Sequence, residues 1–171
     1  MTHYAAFLRG INVGGRNIKM ADLKKCFEEA GFKDVSTLLN SGNVKFDSEL
    51  SIAKATKKIE EALTQTFSYP AKVIVKEIAD LQEVINNYPF KRDEKNHAYV
   101  IFLSKDIAEE ILSEAEVDDK LEEVKAGKFL IYWRTPKGMT LKTSFGDILT
   151  KSKFKELNTV RNLNTVEKLL K

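Results

Sequence analysis

The chain is poor in the residues that carry most catalytic and covalent chemistry. Its 171 residues include one cysteine, two histidines, one tryptophan and three prolines. A lone Cys26 forms no internal disulfide, which fits a reducing compartment. His3 and His97 each open an apolar run, and neither has metal-ligand spacing with Cys26 or with a carboxylate pair, so no metal is expected. Cys26 sits beside the apolar stripe of a helix and reads as a packed thiol rather than a nucleophile. No Ser-His-Asp order is visible, and an enzyme of unassigned reaction remains only as an alternative. The phosphate loop G-x-x-x-x-G-K-[ST] and the dinucleotide fingerprint G-x-G-x-x-G are both absent, so no cofactor is expected. No run approaches the ~18 apolar residues of a membrane helix. The opening M-T-H-Y-A-A-F-L-R lacks a basic stretch followed by a long apolar one, so no secretory signal is read. A cytoplasmic protein with no membrane partner is the expectation.

What the chain does have is an ordinary globular composition, with 43% hydrophobic and 31% charged residues. Its length suits one domain or two small ones. The net charge of +3 conceals an asymmetry: residues 125–171 hold eleven Lys/Arg against three Asp/Glu, while the rest is net acidic. A basic end attracts phosphates or nucleic acid, so a nucleic-acid-binding module is kept as the alternative reading.

The most informative stretch is Leu8-Arg9-Gly10-Ile11-Asn12-Val13-Gly14-Gly15-Arg16-Asn17. An apolar strand runs into a loop with three glycines, two arginines and two asparagines. Glycine admits positive φ and close approach, and exposed N–H groups beside guanidinium groups make an anion pocket. Arg9, Gly10, Asn12, Gly14, Gly15 and Arg16 are therefore candidate ligand residues for a small anionic or nucleotide-like ligand. Alternation places Phe7, Arg9 and Ile11 on one face of the strand, with Ala6, Leu8 and Gly10 on the other. Phe7 and Phe46 are candidate stacking rings on a sheet face left open by helices, although the pattern of RNA-recognition modules is missing.

Hydrophobic periodicity organises the rest. Residues 4–11 read as a strand, and Met20 to Ala30 as a helix with Gly31 just past its end. Two short strands at 34–39 and 43–47 flank the turn Asn40-Ser41-Gly42-Asn43. A helix capped by Ser48 or Ser51 carries the stripe Ile52, Ala55, Ile59, Leu63, and a strand follows at 71–76. This is the β-α-β-β-α-β order of a ferredoxin-like fold. Residues 78–88 read as a connecting helix, and the polar run K-R-D-E-K-N at 91–96 as a boundary. A second pass then starts: a strand at 97–103, a helix capped by Ser104 or Asp106, an edge strand at 119–125, a turn at Ala126-Gly127 and a strand at 128–134. Helices are expected around 145–151 and 165–170. The fold class is thus α+β, two ferredoxin-like halves packed together, with 1–77 as the first, 78–96 as connection and 97–171 as the second.

Five segments, L-R-G-I-N-V-G-G at 8–15, N-S-G-N-V at 40–44, Y-P-F at 88–90, F-L at 102–103 and T-V-R-N-L-N-T-V-E-K-L at 159–169, occur in an order that resembles the bacterial domain of unknown function 1697. The resemblance spans nearly the whole chain. It implies a compact α/β protein of ferredoxin-like halves and no particular activity. Where an aromatic is expected between the two asparagines of the last segment, this chain has Leu163.

Two further clusters join the candidate set. In the ferredoxin-like order the first and third strands are antiparallel neighbours, which brings Asn43 to the end of strand one. Arg161, Asn162 and Asn164 either cap the last helix or reach back to complete a single basic pocket.

Overall fold

The computed structural model describes residues 1–11, 15–38, 42–140, 142–151 and 153–171. Asn12 and Gly14 of the glycine segment, and Asn40 and Ser41 of the hairpin, lie outside the described residues. The chain divides into two compact units, Met1–Glu83 with Leu169–Lys171, and Val84–Lys168.

The first unit runs β1 (Thr2–Leu8), α1 (Met20–Glu29), β2 (Lys33–Leu38), β3 (Asn43–Ser48), α2 (Ile52–Phe67) and β4 (Val73–Glu77). Its four strands lie in the order β2-β3-β1-β4, every neighbouring pair antiparallel. Period-two alternation decides the faces. Tyr4, Ala6 and Leu8 join Val44, Phe46, Val73 and Val75 in one core. Leu23, Cys26 and Phe27 of α1 close over it, with Ala55, Ile59 and Leu63 of α2. The ring of Phe46 meets Phe27 at 5.6 Å and Phe32 at 4.8 Å between centroids. Ser51, one of the two expected caps, accepts a hydrogen bond from the Lys54 N–H at 3.3 Å and starts α2.

At the end of β1 the chain is pinned on both sides. The Leu8 N–H donates to the Gly42 carbonyl at 2.9 Å, and the Arg9 N–H to the Lys72 carbonyl at 3.2 Å. Gly42 has φ +76, and a Cβ there meets Leu8 Cβ and Ile11 Cδ1 at 3.1 Å. Only glycine satisfies both the left-handed backbone and that close approach. The strand stops at Leu8, so the alternation does not continue to Ile11. Ile11 turns into the helix-covered core instead of sharing the face of Phe7.

α3 (Ile78–Asn86) follows β4 directly, with Leu81 fully buried. The second unit then runs β5 (Asn96–Leu103), α4 (Ala108–Glu114), β6 (Glu123–Gly127), β7 (Leu130–Pro136), α5 (Ser144–Ile148) and β8 (Asn158–Asn162), followed directly by α6 (Leu163–Leu169). The strand order β6-β7-β5-β8 repeats that of the first unit, again antiparallel throughout. Ile101, Leu103, Ile131 and Trp133 face Ala108 and Ile111 of α4 and Phe145 and Ile148 of α5. The architecture is α+β, with two four-stranded antiparallel sheets, each interleaved with helices as in two ferredoxin-like halves.

Three local expectations change. Ala126 and Gly127 belong to β6, and the hairpin turns at Lys128-Phe129, where Phe129 takes φ +58. Neither Ser104 nor Asp106 caps α4, whose N-cap is Ile107 without a side-chain bond. Asn158–Asn162, where no strand is expected and which carries the candidates Arg161 and Asn162, is the fourth strand of its sheet.

Candidate functional site

In the first unit the glycine loop closes where the Ile18 N–H donates to the Ile11 carbonyl at 3.3 Å. Both isoleucines are buried in the core and anchor the loop base. Gly10 and Gly15 have φ +68 and +78. The Arg16 guanidinium is fixed from two sides. Its Nη1 donates to the Gly10 carbonyl at 2.5 Å, and its Cζ lies 4.1 Å from the centre of the Tyr69 ring. Such a cation–π contact holds the flat cation parallel to an apolar surface and restricts its rotamers. Tyr69 is 5% exposed, and its hydroxyl has no hydrogen-bond partner among the described residues. Burial raises the phenol's pKa, while the positive Arg16 works against that rise.

Asn43 stands opposite Phe7 on β1 and is fully buried. Its amide donates to the Leu38 carbonyl at 3.1 Å, so it braces the β2–β3 hairpin. Phe7 is fully buried and Phe46 lies in the helix-covered core, so neither ring is an exposed stacking platform. Cys26 donates to Thr66 Oγ1 at 3.5 Å, and burial pushes its thiol pKa up, which suppresses the thiolate. His3 Nδ1 meets the Asp47 carboxylate at 2.5 Å across the β1–β3 pair.

The other predicted residues, Arg161, Asn162 and Asn164, belong to the second unit. Arg161 folds along its own strand: it is 9% exposed and its Nη1 donates to Thr159 Oγ1 at 2.6 Å and to the Val160 carbonyl at 3.0 Å. Asn162 Oδ1 accepts from the Asn164 N–H at 3.0 Å, a local turn at the start of α6.

Asn162 and Asn164 also line a cleft of about 370 Å³, together with Lys91, Arg92, Asp93, Glu94, Asn96, His97, Ala98, Arg134 and Lys137. Asp93 organises one wall. Its Oδ1 accepts from the backbone N–H groups of Lys95 and Asn96, and its Oδ2 receives Arg134 at 2.6 Å. Hydrogen bonds from Asn96, then from Arg134, hold this carboxyl well below the usual carboxylate range. Arg134 also donates from Nε to the Lys91 carbonyl at 2.9 Å, and Arg92 pairs with Glu167 at 2.6 Å while bonding the Asn164 oxygen. Burial, then the positive Lys137, keeps the His97 imidazole below its ordinary value. Nearby, burial pushes the Tyr88 phenol up to about 12 against the opposing charges of Arg134 and Arg92.

Sequence reasoning missed Tyr69, which reads as a helix end before Pro70, and the wall formed by residues 91–96, which reads as a linker. The signal available for the latter was its charge density.

A family model described as "Protein of unknown function (DUF1697)" matches residues 1–132. The chain belongs to the DUF1697 family. Among solved structures, this DUF1697 chain is similar to "conserved bacterial protein SP0830 from Streptococcus pneumoniae", with a TM-score of 0.82, 28% identity and 99% of each chain covered. A comparison with curated proteins gives no match. Among the described residues, no helix of this DUF1697 protein is long and apolar enough to cross a membrane, and no group of three or more His, Cys, Asp or Glu is placed to hold a metal ion.

Proposed function

We propose that the first unit binds a small anionic or nucleotide-like ligand at the glycine loop. The observation that carries this reading is the preset Arg16 guanidinium, held by the Gly10 carbonyl and stacked on Tyr69. A cation whose rotamers are already restricted loses less entropy when an oxyanion docks. Arg9, Gly10, Asn12, Gly14 and Gly15 complete the proposed set by their place in the loop, with Asn43 bracing the adjoining hairpin. The Tyr69 hydroxyl, buried without a hydrogen-bond partner among the described residues, supplies a donor for the same ligand.

Calorimetric titration with inorganic phosphate and with ADP tests the proposal. Binding is expected, and Arg16→Ala weakens it about tenfold or more, the usual consequence of removing a charge-assisted hydrogen bond. Tyr69→Phe removes no hydrogen bond to a described residue, is expected to keep the fold, and weakens binding by a smaller factor. Equal affinity in the parent and Arg16→Ala proteins rejects the site.

A further inference from the structure

The cleft of the second unit holds a surplus of donors that its own structure does not consume. Its two arginines are already neutralised, Arg92 by Glu167 and Arg134 by Asp93 at 2.6 Å each. Lys91 and Lys137 are different: both are exposed and line the cleft, and neither ammonium forms an ion pair with any described residue. Glu94 is the one acidic lining residue besides the committed Asp93. The side-chain nitrogens of Asn162 and Asn164 likewise donate to none of the described residues, since only their oxygens are engaged.

The character of these donors narrows the ligand. Planar carboxylates favour a free guanidinium fork; here Arg134 is spent on the Lys91 carbonyl and Asp93, and Arg92 Nη2 is held by Glu167 and Asn164. Free ammonium groups act as point charges and suit a tetrahedral oxyanion approached from several directions. A cleft of about 370 Å³ exceeds the space of a bare ion and lies in the range of small-molecule sites. Two amide nitrogens beside the cations offer hydrogen bonds to hydroxyl groups. We propose that this cleft is a second ligand site, independent of the glycine loop, that holds the phosphate monoester of a small polyol. The phosphate lies against Lys91 and Lys137, and Asn162 and Asn164 hold the hydroxyls.

The test is calorimetric titration of the full chain with glycerol 3-phosphate, with inorganic phosphate and glycerol as separate arms. The ester is expected to bind, and Lys91→Gln with Lys137→Gln weakens it about tenfold or more. Arg16→Ala leaves this affinity unchanged, which separates the cleft from the glycine-loop reading. Asn162 Oδ1 also accepts from the Asn164 N–H at the start of α6, so Asn164→Gln is the gentler probe of the amide contribution and costs a few-fold. The His97 ring gives a readout that loss of structure does not mimic: an anion beside Lys137 offsets its charge, so the imidazole titrates at higher pH with ester bound, as followed by NMR. Unchanged ester affinity in the double lysine variant overturns the site. Inorganic phosphate binding as tightly as the ester overturns the polyol assignment. An oligonucleotide that displaces the ester, with affinity falling steeply in salt, overturns the small-molecule reading in favour of nucleic acid.

Discussion

The two units share one strand order and fill it differently. The sheet of the first is covered by helices of 10 and 16 residues, that of the second by helices of 7 and 5. A longer helix brings more apolar side chains to the sheet, and the first core is correspondingly built on packed rings and aliphatics. The second has polar side-chain bonds within its buried interior as well as rings. Asn158 Nδ2, buried on β8, donates to the Leu149 carbonyl at 3.0 Å and to the Phe154 carbonyl at 2.8 Å. Thr143 Oγ1 accepts from the Gly146 N–H at 3.0 Å and caps α5. Trp133 Nε1 donates to the buried Glu122 at 2.8 Å. Strand patterning therefore dictates connectivity, while helix length and polar content are free to vary around it.

That contrast breaks most visibly at the two core rings. Trp133→Ala removes the largest fully buried side chain and leaves Glu122 without its indole partner. The expected loss is about 3–5 kcal/mol from the cavity, with a further penalty for the stranded carboxylate. Phe46→Ala in the first unit costs about 3–5 kcal/mol from the cavity alone. Denaturant unfolding followed by circular dichroism should rank Trp133→Ala as the worse.

Two glycines sharpen the comparison at the next level. A Cβ on Gly146 lies 2.1 Å from the Thr140 carbonyl oxygen, a backbone atom with no rotamer to change, so Gly146→Ala costs about 1–3 kcal/mol or more. Gly31→Ala meets only the flexible end of Lys58 at 3.3 Å, and its cost of about 1 kcal/mol comes from φ +98. Thermal denaturation followed by the fluorescence of Trp133, the chain's only tryptophan, reads the Gly146 effect within its own unit. Equal destabilisation by the two substitutions contradicts the steric argument.

Helix caps should differ less. Ser51→Ala and Thr143→Ala each lose one side-chain acceptor, about 1 kcal/mol by the usual measure. Thr143 is 6% exposed while Ser51 is exposed, so Thr143→Ala is the costlier, because the Gly146 N–H is left buried without it. The smallest effect is the pH response of Asp93→Asn. A carboxyl held below its ordinary value of 3.8 contributes stability above that pH and loses it as the medium becomes more acidic. The variant is expected to melt lower than the parent at neutral pH, with the two melting temperatures converging below pH 3.8. A constant difference across that range contradicts the assigned hydrogen bonds.

The sequence exposes the elements with strong periodicity and hides those whose partners lie far away. β1, β5 and β7 are apolar enough to read directly, and the stripe of α2 is unambiguous. β8 is hidden because N-T-V-R-N is mostly polar: Val160 faces the helix-covered core, while Thr159 and Arg161 point to the opposite face and are buried there. Nothing local announces that Phe129 turns the second hairpin at positive φ. The glycine loop is legible from composition, but the ring that fixes Arg16 comes from Tyr69, 53 positions later, and only folding joins them. The run at 91–96 looks like a solvated boundary until Asp93 gathers Lys95, Asn96 and Arg134 around one carboxylate.

Ser68 ends α2 in the left-handed conformation, with φ 55 and ψ 47, and its N–H bonds the Thr64 carbonyl. A side chain in that backbone state is strained by roughly 1 kcal/mol. Asp34 repeats the situation at φ 46, and both residues are exposed. Glycine at either place keeps the bend and relieves the strain, so the first unit carries unused thermal headroom on its surface, open to engineering without touching its interior.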